Sequence, residues 1–105
     1  MADPAKSQHE VVERIAALQP AIRSLGIRRV AIFGSFARNQ SGVDSDVDVL
    51  VEFEAGRKNF DAWLDLADLL ERTLGRRVDL VSIDGLSPFV RPRILAEALD
   101  VVRLA

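Results

Sequence analysis

The chain has 105 residues, of which 49% are hydrophobic and 29% charged, a balance typical of one folded globular domain. Its 14 basic and 16 acidic residues give a net charge of −2, which argues against a direct nucleic-acid partner. No cysteine is present and no apolar run approaches the roughly 20 residues that span a bilayer, so we expect a cytoplasmic protein without disulfides, thiolate metal sites or a membrane partner.

The first quarter of the chain predicts a leader followed by a helix. Residues 1–6 are expected to be disordered, and residues 7–105 to form the single domain. "SQHE" (7–10) is typical of a helix capping box, after which apolar residues recur at helical spacing. Pro20 should kink or split this helix, and Gly26 should end it. The apolar positions expected to face the core are Val11, Ile15, Leu18, Ile22 and Leu25.

Three later segments have the β-branched and aromatic composition of strands. They are "IRRVAIFG" (27–34), "VDVLVEF" (47–53) and "RVDLVSI" (77–83), and "DVVRLA" (100–105) is a candidate for a short fourth strand. Helical patterns separate them. The predicted fold class is therefore α/β, with a three- to four-stranded mixed sheet flanked by helices.

Three helices are expected after the first strand. "SFARNQ" (35–40) is long enough only for a short one, and "PRILAEAL" (92–99) suits a helix with proline in its first turn. Between them lies a longer amphipathic helix that Gly75 should close. Its expected core face consists of Phe60, Trp63, Ala67, Leu70 and Leu74.

Three carboxylates are the first candidates for chemistry. Asp46 and Asp48 lie two residues apart on a predicted strand, so they share a face, although an acidic strand face is usually only solvated. Asp79 lies in a strand that we expect to be buried, where an unpaired carboxylate is costly. If the two strands are neighbours, the three charges converge and favour a divalent cation. Oxygen ligands without a nearby histidine or cysteine favour Mg²⁺, and His9 is expected at the surface.

Gly34-Ser35 is the second candidate feature. A glycine that ends a strand and a serine that opens a helix allow backbone N–H groups and a hydroxyl to approach an anion. Such a pair is usually only a turn. Facing a carboxylate cluster, however, it suits a nucleoside triphosphate, because metal ions bridge phosphate oxygens while N–H groups hold the terminal phosphates.

Together these residues resemble a known family. Gly34-Ser35, ten intervening residues (36–45) and Asp46-Val47-Asp48 are similar to the G-S-x10-D-x-D signature of the DNA polymerase β-like nucleotidyltransferases. "GSFARNQSGVDSDVDVLVEF" and "GRRVDLVSIDGLSPFVRPRILAEA" resemble in particular the minimal nucleotidyltransferase group. Asn39 stands where that group usually has glycine. Because asparagine tolerates positive φ, we expect the turn to survive.

The resemblance implies transfer of AMP from ATP, with pyrophosphate leaving. It implies that Asp46 and Asp48 bind two Mg²⁺ ions. Asp79 would ligate the metal on the acceptor side and help to take the proton from the attacking hydroxyl. The nucleotide-binding residues that the resemblance implies are Gly34, Ser35 and Arg38.

Many members of the minimal group act as antitoxins of a HEPN-domain ribonuclease toxin and transfer AMP to one of its tyrosines. The resemblance therefore implies a hetero-oligomer with such a toxin. The chain itself has no tyrosine, which is compatible with an acceptor in trans. Arg91 and Arg93 either reach the nucleotide or a partner, or only flank a helix start.

Two other functions stay open on the same fold, a binding antitoxin without catalysis and nucleotidyl transfer to a small molecule. A receiver-like phosphoacceptor domain is disfavoured, because its acidic pair would end the first strand, where this chain has Gly34-Ser35.

Overall fold

A computed structural model, which describes residues 2–103, shows a four-stranded mixed sheet with helices packed against it. The strands are β1 (Ile27–Phe33), β2 (Val47–Phe53), β3 (Val78–Ser82) and β4 (Leu99–Arg103). Their order is β3-β2-β1-β4, with β1 antiparallel to both β2 and β4, and β2 parallel to β3. The predicted fold class is confirmed, including the fourth strand. Leu104 and Ala105, the end of that predicted strand, lie outside the described residues.

Within residues 2–103, five α-helices and one 3-10 turn precede or connect the strands. Ser7 caps the first helix, since its hydroxyl accepts a hydrogen bond from the Glu10 N–H at 3.1 Å. The Glu10 carboxylate reaches back to the Lys6 N–H, one residue before the position of the standard capping box. Pro20 divides the predicted first helix in two. The helices are α1 (Gln8–Ala16), α2 (Gln19–Ser24), α3 (Gly34–Ala37), α4 (Phe60–Leu74) and α5 (Arg91–Glu97), with the 3-10 turn at Ile83–Gly85.

One face of the sheet carries the main core. Val47, Val49 and Val51 of β2 are fully buried, as the alternation of that strand predicts. Each fully buried side chain of this kind contributes about 1.5–3 kcal/mol. Helical residues pack against them; fully buried among these are Val11, Ile15, Ile22, Phe36, Leu66, Leu70 and Leu74. No helix within residues 2–103 has the length and apolar character needed to cross a membrane.

The core face of α4 differs from the predicted one. Leu70 and Leu74 are buried as expected, but the other two buried positions are Ala62 and Leu66, at a strict spacing of four. Phe60 is 73% exposed, because it is the first residue of the helix and lies outside that row. The prediction therefore identified the helix but misplaced the buried row in its first half.

Residues 2–6 pack against the end of α4, in contrast to the disorder expected for residues 1–6. Ala5 is fully buried, and its N–H donates to the Leu74 carbonyl at 2.8 Å. The Arg14 guanidinium donates to the Asp3 carbonyl. The last carbonyls of a helix lack partners within it, so an extended segment that supplies an N–H group is stabilised there. Met1 lies outside the described residues.

Candidate functional site

Asp48 and Asp79 lie side by side at the start of two parallel strands. Each is the second residue of its strand, and the register of β2 and β3 pairs them directly. Partial burial raises the pKa of the Asp48 carboxyl above its ordinary value of 3.8, and the charges of Asp79 and Asp46 raise it further, together with a hydrogen bond to Asp79. Arg38 acts in the opposite direction without outweighing them. These carboxylates repel each other, a condition that a bound cation relieves.

Asp79 occupies an exposed position, so the expectation that its strand is buried is wrong. β3 is an edge strand whose residues are all partly or fully exposed. Its apolar composition is explained by Val78 and Leu80, which are partly buried against the core although the strand lies at the sheet edge. The case for Asp79 as a site residue therefore rests on its pairing with Asp48 and not on a burial cost.

Asp46 lies one residue before β2, whose observed bounds equal the predicted 47–53, so it adjoins the strand that carries Asp48. Its neighbours are held on both sides: the Ser45 carbonyl accepts a hydrogen bond from Arg76 at 2.9 Å, and the Val47 N–H donates to the Arg77 carbonyl at 2.9 Å. Asp46 lines a cavity of about 210 Å³ together with both arginines. It is close enough for its charge to raise the pKa of Asp48.

The acidic side chains fit a metal that is bound together with a nucleotide. Within residues 2–103, no group of three or more histidine, aspartate or glutamate side chains is arranged to hold a metal ion by itself. Mg²⁺ commonly uses one or two carboxylates and takes its other ligands from substrate phosphates and water. The Asp48–Asp79 pair, with Asp46 nearby, is a donor set of that kind.

Gly34 is the point at which the two halves of the G-S-x10-D-x-D motif meet. It adopts a left-handed conformation with φ of +73°, and a Cβ placed on it would lie 2.0 Å from Oδ2 of Asp48. Glycine is therefore needed here both for the backbone conformation and for the room that the Asp48 carboxylate occupies. Ser35 follows it, partly exposed, in the first turn of α3.

Glu97 is a site residue that the sequence did not reveal. Its Oε1 accepts a hydrogen bond from the Gly34 N–H at 2.7 Å and another from Nη1 of Arg38 at 2.5 Å. The two donors that are expected to hold phosphate thus already hold an anionic oxygen. Glu97 lies 63 residues from Gly34, and no local pattern distinguishes it from a surface glutamate at a helix end.

The turn between α3 and β2 is stabilised by two polar residues. Asn39 has φ of +57°, and within residues 2–103 it is the only residue other than glycine with positive φ. The expectation that asparagine preserves this turn is confirmed. The Ser45 hydroxyl accepts a hydrogen bond from the Gly42 N–H at 2.8 Å, which gives Ser45 a structural role.

Other candidates lie apart from this arrangement or have structural contacts. Arg91 donates to the Ile83 carbonyl, which ties the start of α5 to the 3-10 turn, while Arg93 is exposed. The His9 side chain is 79% exposed, as expected. A larger cavity of about 520 Å³ contains none of the predicted site residues and is lined by Lys58, Asn59, Phe60, Trp63 and Ser82.

Comparison with known proteins shows which family this arrangement belongs to. Residues 17–102 match the family described as polymerase beta, nucleotidyltransferase. The chain belongs to this nucleotidyltransferase family. Both the predicted family and the assignment to nucleotidyltransferases are thereby confirmed.

Several relatives of this nucleotidyltransferase are similar over most of its length. A predicted protein adenylyltransferase of Methanocaldococcus jannaschii is 42% identical over 86 residues, which is 79% of this chain and 88% of the relative. The protein adenylyltransferase MntA of Thermococcus cleftensis is 38% identical over 76 residues, 72% of this chain and 76% of the relative.

Solved structures share the fold. One described as a minimal nucleotidyltransferase has a TM-score of 0.81 and 38% identity, over 92% of this chain and 98% of its own. A chain from a complex of tri-AMPylated Shewanella oneidensis HEPN toxin with its MNT antitoxin has a TM-score of 0.64, over 91% of this chain and 72% of its own. Its identity of 21% shows the fold alone.

Proposed function

We propose that this nucleotidyltransferase is a Mg²⁺-dependent protein adenylyltransferase that transfers AMP from ATP to a hydroxyl of a partner protein. One observation carries the proposal: the Gly34 N–H and the Arg38 guanidinium converge on a single anionic oxygen next to the Asp48–Asp79 pair. Anion donors beside an acidic pair are what a nucleoside triphosphate with a divalent cation requires. The names of the two relatives support ATP as the nucleotide and a protein as the acceptor.

The phosphates would bind on the side of the turn. In this proposal a phosphate oxygen of ATP replaces the Glu97 carboxylate and accepts hydrogen bonds from the Gly34 N–H and Arg38. Ser35 adds its hydroxyl to the β- and γ-phosphates. A charge-assisted hydrogen bond of this kind is stronger than a neutral one, so Arg38 orients the triphosphate as well as attracting it.

The metal ions would bind on the side of the sheet. Asp46, Asp48 and Asp79 would supply carboxylate oxygens to Mg²⁺, which when bound would neutralise the charge that develops on the phosphoryl oxygens. Asp79 accepts the proton of the attacking hydroxyl. The hydroxyl oxygen then bonds to the α-phosphorus while the bond from the α-phosphorus to the bridging oxygen breaks, and that electron pair leaves with pyrophosphate.

The acceptor would be a tyrosine of a HEPN-domain toxin, which makes the chain an antitoxin. The family resemblance motivates this partner, and the fold shared with a chain of the S. oneidensis toxin–antitoxin complex is compatible with it. The chain has no tyrosine, so a tyrosine acceptor lies on another molecule. Exposure of Asp79 at the sheet edge leaves room for a side chain of another protein to approach.

The test is an intact-mass measurement on the protein encoded beside this one. The partner is incubated with ATP and Mg²⁺ alone, with the wild-type chain, and with the Asp46→Asn, Asp48→Asn double variant. We expect a gain of one or more AMP units with the wild type only, and peptide mapping then identifies the modified residue. An unchanged mass, with tight binding by both the wild type and the double variant, would instead assign a binding antitoxin without catalysis.

A further inference from the structure

Arg76 joins three segments that build the candidate site. Its Nη1 donates to the carbonyls of Val43 and Ser45 at 3.0 and 2.9 Å, and its Nε donates to the carbonyl of Ala5. Its Cζ lies 5.1 Å from the ring centroid of Phe36, a fully buried residue of α3. One side chain thus contacts the loop before β2, the N-terminal segment and α3, the helix that begins at Gly34.

The position of Arg76 in the chain connects it to Asp46 and to the strand of Asp79. It follows Gly75, whose left-handed conformation ends α4, and it lies two residues before β3. The next residue, Arg77, accepts a hydrogen bond from the Val47 N–H. Residues 76–77 therefore fix the backbone on both sides of Asp46, through the Ser45 carbonyl and the Val47 N–H.

The contacts of Arg76 depend on the shape of its guanidinium and not on charge pairing. All three of its hydrogen bonds go to backbone carbonyls, and no ion pair within residues 2–103 includes it. The planar guanidinium donates in two directions while its face lies on an aromatic ring. Lysine cannot reproduce this arrangement, because its ammonium is a point charge.

We infer that Arg76 is a positioning residue that holds the Asp46 carboxylate in place for the metal ions and couples it to α3. Because Phe36 lies next to Ser35, the same guanidinium links the phosphate side of the site to the carboxylate side. This inference rests on the proposed function in one respect, namely that Asp46 binds metal during transfer.

The test compares Arg76→Lys and Arg76→Gln with the matched controls Arg23→Lys and Arg23→Gln, which change an exposed arginine of α2 away from the site. Three quantities are measured: the melting temperature, kcat and KM for ATP in transfer to the partner, and Mn²⁺ affinity by electron paramagnetic resonance. The Mn²⁺ titration uses the isolated chain with an ATP analogue whose α–β bridge is not cleavable.

We expect both Arg76 variants to lower kcat and Mn²⁺ affinity by about 10- to 100-fold, the range found when a residue that orients a metal ligand is lost. KM for ATP should rise by a smaller factor than kcat falls, because Arg76 acts on the phosphate side indirectly, through the ring of Phe36. The Arg23 controls should keep wild-type values. Phe36→Leu, which removes the ring beneath the guanidinium, should give a smaller loss of the same kind and serves if the Arg76 variants do not fold.

Wild-type kcat and Mn²⁺ affinity in the folded Arg76 variants, or in Phe36→Leu where those variants do not fold, would overturn the inference. So would a loss of kcat that the folded fraction accounts for entirely. If the wild-type chain transfers no nucleotide, the proposed function fails, and the ratio of Mn²⁺ affinities between wild type and Arg76→Lys still decides the role of Arg76.

Discussion

Replacing Gly34 by alanine tests whether the Asp48 carboxylate needs the space that the missing side chain of Gly34 leaves open. The added Cβ would lie 2.0 Å from Oδ2 and 3.0 Å from Cγ of Asp48, whereas ordinary contacts begin near 3.4 Å. The carboxylate oxygen must therefore retreat by about 1.4 Å. It is the end of a short side chain that can rotate, so we expect the fold to survive while the proposed metal-binding position is lost.

The expected effect of Gly34→Ala has two parts, a loss of stability from the strained backbone and a loss of transfer activity from the displaced carboxylate. Alanine in a left-handed conformation destabilises the fold by about 1–2 kcal/mol. For a domain of this size, each 1 kcal/mol lowers the melting temperature by roughly 4–8 °C. A displacement of about 1 Å in a catalytic arrangement costs about 100-fold in rate, so Gly34→Ala should lose at least that much transfer activity.

Gly56→Ala is the matched control. Gly56 has φ of +76°, close to the +73° of Gly34, and a Cβ on it would meet no atom of residues 2–103 within 4 Å. The two variants should therefore lose similar stability in thermal denaturation, but only Gly34→Ala should lose transfer in the intact-mass assay. Equal transfer activity in the two variants would refute the argument that Gly34 makes room for Asp48.

Three further predictions concern charge and backbone conformation. The fold raises the pKa of Asp48, so ionisation of this carboxyl lowers the free energy of unfolding. The loss is absent below pH 3.8, grows as the pH rises above it, and is complete once the pH exceeds the raised pKa. Asp48→Asn should therefore raise the melting temperature of the metal-free protein at neutral pH while it abolishes transfer. In the proposed function the Glu97 carboxylate competes with phosphate for Gly34 and Arg38, so Glu97→Gln should lower KM for ATP by up to about tenfold. Asn39→Ala should destabilise the fold by about 1 kcal/mol in urea denaturation, whereas Asn39→Gly should leave stability nearly unchanged.

Each of these predictions has a contrary result. A lower melting temperature for Asp48→Asn at neutral pH would mean that the carboxylate stabilises the fold through a contact that outweighs the repulsion. A higher KM for Glu97→Gln would assign Glu97 the task of orienting Arg38. Equal stability of the alanine and glycine variants at Asn39 would show that the turn adjusts its backbone.

Local patterns predicted most of the fold. The alternation of β2 placed Val47, Val49 and Val51 in the core, and Pro20 and Gly75 marked helix boundaries that the structure confirms. Each of these signals depends on steric preferences within a few residues, which is why the sequence alone carries them.

What the sequence did not predict depends on distant contacts. Arg76 binds carbonyls 31 to 71 residues away, and the Gly34 N–H binds Glu97 63 residues away, so neither role leaves a local pattern. The exposure of Asp79 follows from the place of β3 at the edge of the sheet, which composition does not determine. The motif located the carboxylates and the turn, while the side chains that hold them in place became visible only in the folded chain.

If Asp79 accepts the proton as proposed, its position at the edge of the sheet has a consequence for a competing reaction, the hydrolysis of ATP. A carboxylate that is open to another protein's hydroxyl is equally open to water, which is far more concentrated. The isolated chain should therefore hydrolyse ATP slowly to AMP and pyrophosphate, and a docked partner should suppress this reaction by covering the same edge. Protection of ATP from unproductive hydrolysis would then be a property of the complex and not of the chain alone.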